Sequence, residues 1–258
     1  MTLDSHEHTS RCSWDPDQAR WTCPSGPPTH QGTAGVGEPD RAPIDVRDMI
    51  VVHTALRREF RLAGPAVERV RLGDTKRAVA VDDHIGFLCD LLHHHHAGED
   101  ALLWPKLRDR VHVNALTLIN DVEAQHAQID TALQRVNGAR RAWTAGPDTG
   151  NRDTLIAELR SLHALLSEHL DLEERAILPL AASVLTEAEW HAIGEAGVAA
   201  IPKSALPLAF GMFSYEGDPA VLRDMLNTAP PLPRLLLPRI APRIYARRAV
   251  RIHGTAQP

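Results

Sequence analysis

Residues 95–105 read HHAGEDALLWP and residues 169–179 read HLDLEERAILP. In each stretch a histidine is followed four residues later by a glutamate, and six beyond that by a proline: His95, Glu99 and Pro105, then His169, Glu173 and Pro179. Two lone histidines repeat with them. His53 and His126 are 73 residues apart, and the two His-x-x-x-Glu pairs are 74 apart. Residues four apart on a helix lie one above the other, so each pair can aim one nitrogen and one oxygen at the same point. His53 and His126 would each add a nitrogen from a neighbouring helix. The order His, His-x-x-x-Glu, His, His-x-x-x-Glu on four helices suits two metal ions inside a helical bundle.

Apolar spacing around these residues predicts the helices. Val46, Met49, Ile50, His53, Leu56 and Phe60 form one stripe at three- and four-residue intervals. It predicts a first helix from an Asp45 N-cap to Ala63, ahead of Gly64-Pro65. A second helix is predicted from Asp74 or Thr75 to Arg110, with Ile85, Leu88, Leu92, His95, Glu99 and Leu103 on one face. Pro105 would kink it or begin a new turn. The third covers 113–143, with Ile119, Val122, His126, Ile129 and Leu133 on its stripe. The fourth covers 152–183, with Leu159, Leu162, Leu166, His169, Glu173 and Ile177. Strand alternation is absent. The prediction is an all-α fold: an antiparallel four-helix bundle made of two helical hairpins, with extra C-terminal helices.

Three regions follow. Residues 1–43 contain six Pro and four Gly with little hydrophobic periodicity, and are expected to be a disordered extension. Residues 44–184 form the bundle. Residues 185–258 form a C-terminal helical extension with a basic tail. In it, Thr186 and Glu189 make a capping-box pattern, and Asp218-Pro219 reads as a cap followed by a proline at the first helical position.

Composition narrows the function classes. Aromatics are 4% of 258 residues, which argues against a base-stacking nucleic-acid module, and the net charge of −5 gives no global attraction to nucleic acid or anionic membrane. No run of about 18 apolar residues suggests a transmembrane helix. The first thirty residues carry acids, Pro and His in place of an apolar secretory core. Cys12, Cys23 and Cys89 are odd in number and widely spaced, which favours a reducing, cytoplasmic setting over a disulfide framework. Cys12 and Cys23 could pair, or bind a metal with His30, but their spacing matches no zinc pattern and free thiols are expected.

Imidazole and carboxylate donors without thiolate favour iron, manganese or zinc over copper(I). A carboxylate inside a bundle is costly unless paired or metal-bound, which is the state expected for Glu99 and Glu173. If both glutamates bridge, four nitrogens and four oxygens occupy about eight of the twelve positions of two six-coordinate ions. An oxo or hydroxo bridge would fill about two more, leaving about two for outside ligands.

The pattern resembles the hemerythrin-like, HHE cation-binding family over about residues 44–184. It rests on HHAGEDALLWP, HLDLEERAILP, His53 in VHTALRRE and His126 in EAQHAQID. The resemblance implies a non-haem di-iron bundle, cycling Fe2+/Fe3+, that binds or senses O2, nitric oxide or peroxide. It implies His53, His95, His126 and His169 as terminal ligands and Glu99 and Glu173 as bridges. The classical oxygen carriers of that family have a fifth histidine. Here the third predicted helix has no His-x-x-x-His, and Asp130 stands four after His126. This departure implies a more open site, like members linked to nitric oxide, peroxide or iron–sulfur repair.

Other residues carry weaker signals. His93 to His96 fan through about 300° of helix, so only one or two can face one site. His95 is preferred because it pairs with Glu99 in register with His169; His96 with Asp100 repeats the spacing on an adjacent face. His93 and His94 are expected in solvent. His84 shares the face of His95 three turns earlier, as a satisfied core residue or part of an access path. Asp130 and Glu123 flank His126 as surface or supporting groups. From Pro230 onward, six arginines interleave with leucines and isoleucines without an acid. That tail reads either as a weak membrane-surface or protein-binding segment or as a helix packed back on the bundle. Pro233, Pro238 and Pro242 argue against one long amphipathic helix and favour packing. The functional expectation is a di-iron protein that reacts with or senses O2, H2O2 or NO, with weak peroxide-decomposing or nitric-oxide-related turnover as the enzymatic form. The alternative is iron or oxygen binding and storage without turnover.

Overall fold

The computed structural model describes residues 42–258 together with two short strands, Ser13–Asp15 and Arg20–Thr22. The strands pair antiparallel, with Trp14 opposite Trp21. The remaining expectations for residues 1–41, including disorder and the roles of Cys12, Cys23 and His30, lie outside the described residues.

The described residues are otherwise largely helical. Four long helices build the bundle: α1 Arg47–Glu68, α2 Thr75–Leu102, then, after the short α3 Trp104–Arg110, α4 Leu116–Ala145 and α5 Thr149–Leu172. A π-helical turn, Glu173–Ile177, joins α5 to α6 Leu178–Val184. Four more follow: α7 Glu187–Ala200, α8 Leu206–Phe213, α9 Pro219–Met225 and α10 Pro231–His253. Helix α5 packs against both α1 and α4, and α2 completes the square against α1 and α4.

Local chemistry explains most helix starts. Asp74 accepts a hydrogen bond from the Arg77 amide at 3.1 Å, and Asp148 from the Asn151 amide at 2.8 Å. Thr186 and Glu189 form the capping box, and Asp218 caps α9 with Pro219 behind it. Pro105 and Pro179 both stand at the start of a new short helix, as missing N–H groups favour.

Three sequence expectations need correction. The N-cap of α1 is Val46, while Asp45 turns its carboxylate to the Arg47 amide at 3.0 Å. Helix α1 also runs through Gly64-Pro65 to Glu68. A proline inside a helix costs roughly 3 kcal/mol, but the continuation buries Ala63, Ala66 and Val67 completely, at roughly 25 cal/mol per Å² of apolar surface. Likewise α10 is one helix despite Pro238 and Pro242, with Ala241, Tyr245, Ala249 and Ile252 buried along one side.

The bundle interior is layered. One apolar cluster contains Leu56, Phe60, Leu88, Leu92, Leu133, Val136, Trp143, Leu159 and Leu166. A second, at the other end, contains Met49, Leu103, Trp104, Ile119, Val122, Ile177 and Trp190. The His/Glu residues of the repeat lie between them on every long helix. His53 follows Met49 and precedes Leu56, and His126 lies between Val122 and Ile129, so a polar layer is sealed above and below by apolar ones.

The C-terminal helices brace one side. A methyl group on Gly211 of α8 would collide with the Ala241 carbonyl oxygen and sit 2.8 Å from Tyr245 Cβ of α10. Both are rigid neighbours, so Gly211→Ala is expected to lower stability by about 1–3 kcal/mol by prising α10 from α8. Chemical denaturation of the two proteins checks this.

Candidate metal centre

The structure brings all six repeated residues into one buried layer. His53, His169, Glu99 and Glu173 are fully buried, His126 is 3% exposed, and His95 is nearly covered. His95 Nε2 is 3.3 Å from Glu99 Oε1, and His126 Nε2 is 3.5 Å from Glu99 Oε2. Glu173 Oε2 is 3.6 Å from His53 Nε2 and 3.6 Å from His169 Nε2. His53 and His95 bring their Nε2 atoms to 3.2 Å. Each glutamate thus faces two histidines, Glu99 through both of its oxygens and Glu173 through Oε2 alone.

His96 adds to the layer, so the sequence alternatives His95 and His96 both reach it. Its ring stacks on His126 at a centroid distance of 4.1 Å and meets His169 edge-on at 5.0 Å. One donor each from His96, Glu99, His126 and His169 lies within 4.8 Å of the others, and a second such group is His53, His95 and Glu99. Consecutive residues are about 100° apart on a helix, so two adjacent histidines can reach two neighbouring points when both are near the helix face. The sequence signal was the HHHH run itself, read for one donor group where His95 and His96 fall in two.

The backs of the rings are fixed. His53 Nδ1 is 3.0 Å from Glu174, His126 Nδ1 is 2.6 Å from Asp100, and His169 Nδ1 is 3.1 Å from the Gln125 side-chain oxygen. With protons on those Nδ1 atoms, the three Nε2 lone pairs point into the layer. This is the arrangement that orients imidazole ligands. Asp100 therefore holds His126 and accepts from Trp104 at 2.9 Å. Arg57 balances Glu174 at 2.8 Å.

Electrostatics fit ligation. Burial, reinforced by neighbouring histidines, pushes His95 and His96 far below the usual imidazole range and His169 down to about 3, leaving them neutral with free lone pairs. Burial and the facing Glu173 push Glu99 well above the usual carboxylate range. All four carboxylate oxygens of Glu99 and Glu173, Nε2 of His126 and His169, and both nitrogens of His96 are buried without a hydrogen-bond partner. Such orphaned polar atoms are rare in folded proteins and costly unless something binds them. The donor set fits metal cations.

Other histidines are elsewhere. His93 is exposed near Asp130 at 3.6 Å, and His94 is exposed. Glu123 pairs with Arg108. His84 belongs to a separate buried cluster, donating at 3.1 Å to Glu59, which also accepts from Tyr245 at 2.6 Å and Arg58 at 3.0 Å. His253 of α10 stands 4.0 Å from Glu59. Burial opposes the Glu59 charge, but the His84 hydrogen bond, His84 and Arg58 charges and the Tyr245 hydroxyl outweigh it and bring the carboxyl to about 2. Burial, then His84, lowers His253 to about 4. Acidification from pH 6.5 protonates His253 in the unfolded chain first, so its contribution is complete above 6.5 and lost as pH falls through about 4. Glu59 adds a loss between 4.5 and about 2. The metal-free protein is expected to show a melting temperature that declines below pH 6.5, with a shallower slope down to pH 4 in His253→Gln. Thermal unfolding at stepped pH measures both slopes.

A family model described as the hemerythrin HHE cation binding domain matches residues 45–181, more than half of the chain. No curated protein and no solved structure matches.

Proposed function

Because the chain belongs to the hemerythrin HHE cation-binding family, we propose that the layer holds two iron ions and that the protein reacts with or senses O2, peroxide or nitric oxide. His53 and His95 would hold one ion and His96, His126 and His169 the other, with Glu99 and Glu173 between them. The observation that carries this reading is the pair of fully buried glutamates whose oxygens have no hydrogen-bond partner yet face imidazole nitrogens at 3.3–3.6 Å. Two buried carboxylates left in that state would be strongly destabilising. Iron would supply one-electron redox chemistry and affinity for small ligands.

The chain's own residues do the rest. Glu174, Asp100 and Gln125 keep three rings in one tautomer. The apolar clusters on either side exclude bulk water, and the burial of the layer selects molecules of only a few atoms. With His96 counted, five nitrogens and four oxygens plus the same solvent-derived bridge leave about one position open in place of about two. His53 and His95, the smaller set of nitrogens, would leave the more accessible side for an outside ligand.

In this reading residues 44–184 are the working unit and residues 185–258 brace it. Among the described residues no helix is long and apolar enough to cross a membrane. Cys89 is a buried free thiol, pushed by burial to about 12, which suits the reducing cytoplasm we assign it to.

His96 also favours the second reading, O2 or iron binding without turnover, since it closes an opening that the sequence pattern left. Rapid mixing of the reduced, iron-loaded protein with O2, nitric oxide or peroxide separates the two. We expect a spectral change with each and conversion to the oxidised state under O2. Full spectral reversal on removing O2 would select the binding-only reading, and silence towards all three would overturn the first.

A further inference from the structure

Among the described residues ten large hydrophobic side chains are exposed, and five of them lie on α10: Leu232, Leu235, Leu236, Ile240 and Val250. From Pro231 to Ile240 every residue except Leu237 is exposed, so the first turns of α10 project from the body. Only the later turns, through Ala241, Tyr245, Ala249 and Ile252, are buried. An unpacked helical segment of this length is marginal in water. Its charges make it more so. Arg239, Arg243, Arg247 and Arg251 recur every four residues, and no acidic residue follows Asp224. Like charges at that spacing repel. Arg239 and Arg243 donate to the helix's own carbonyls, of Leu235 and Arg239, rather than to an acid.

A cleft continues this face. Arg247, Arg248 and Arg251 stand around an open hollow of about 470 Å³ whose apolar walls include Phe87, Leu208 and Ile244. The Arg248 Nε atom, behind this lining, is buried without a hydrogen-bond partner.

We propose that α10 docks the protein on an anionic lipid surface. Leu232, Leu235, Leu236 and Ile240 enter the boundary between headgroups and acyl chains, the arginine row meets lipid phosphates, and the Arg247–Arg251 cleft takes a headgroup. Charge complementarity selects this occupant. A second copy of the chain would set arginine row against arginine row. A nucleic acid would neutralise the arginines but leave the projecting leucines in water. An interfacial helix needs both an apolar side and basic residues, and its attraction grows with each arginine near the surface. The inference does not depend on the metal centre, which lies in the bundle interior.

The test is co-sedimentation of the full-length protein with vesicles of phosphatidylglycerol mixed with phosphatidylcholine, and with phosphatidylcholine alone. Binding to the anionic vesicles is expected to be on the order of tenfold stronger or more, and to weaken as salt rises. The double variant Arg239→Glu/Arg243→Glu, on an exposed face and expected to keep the wild-type circular dichroism, should lose roughly tenfold or more of that binding. Leu232→Ser/Leu236→Ser should weaken it while keeping its salt dependence. Equal binding to both vesicle types, binding to neither, or wild-type binding by either double variant would overturn the proposal. A dimer in sedimentation without vesicle binding would assign the face to a second copy and overturn it as well.

Discussion

Glu99→Ala is expected to reduce the metal content of the iron-loaded protein from about two ions per chain to less than one, with loss of most visible charge-transfer absorption. The reason is its position: one oxygen faces His95 at 3.3 Å and the other His126 at 3.5 Å, so its removal takes a donor from both halves of the layer. Glu173→Ala is expected to behave alike, since its Oε2 faces both His53 and His169. His96→Ala should cost one ion, while His94→Ala, whose side chain is in solvent, should cost none. Elemental analysis of the four variants distinguishes these outcomes. The isosteric Glu99→Gln is informative in the opposite direction. It relieves the burial of two facing carboxylates, so the metal-free variant should be as stable as the wild type or more stable by about 1–3 kcal/mol, while binding iron poorly.

Stripping the metal from the wild-type protein is expected to lower its melting temperature by on the order of 10 °C. Binding that saturates a site about a thousandfold above its dissociation constant adds about 4 kcal/mol to the folded state, and a bundle of this size shifts by about 2–4 °C per kcal/mol. The loss should centre on the layer, where the glutamate oxygens and the His126 and His169 Nε2 atoms would again be buried without partners. Differential scanning calorimetry before and after chelation measures it. An unchanged melting temperature would mean that these groups are satisfied without an ion.

The bundle was legible because its signals are local and repeated. The apolar stripes through Leu56, Leu92, Ile129 and Leu166 mark residues that the structure buries, although Ile50 of the first stripe is exposed, and the two His-x-x-x-Glu pairs share their faces. Capping chemistry at Asp74, Thr186 and Asp218 placed helix starts for the same reason. What escaped were consequences of tertiary packing. Pro65, Pro238 and Pro242 read as breaks, yet burial of Ala66, Val67 and Ala241 carries each helix past its proline. That His96 joins His95, rather than replacing it, escaped because a helical wheel assigns one direction per residue. Whether two adjacent rings converge depends on how closely α4 and α5 approach α2. The supporting roles of Asp100, Gln125 and Glu174 were equally hidden, since nothing in their spacing marks them as partners of His126, His169 and His53. Glu59 and His253, 194 residues apart, meet only once α10 folds back.

The central claim is that one buried layer holds two ions. Its most direct test is the metal content of the purified full-length protein after anaerobic iron loading and removal of loosely held metal, read together with its visible spectrum after exposure to air. About two irons per chain are expected, with a ligand-to-iron charge-transfer band that disappears with Glu99→Ala. Zero or one tightly held ion per chain, or a band that survives that substitution, would contradict it.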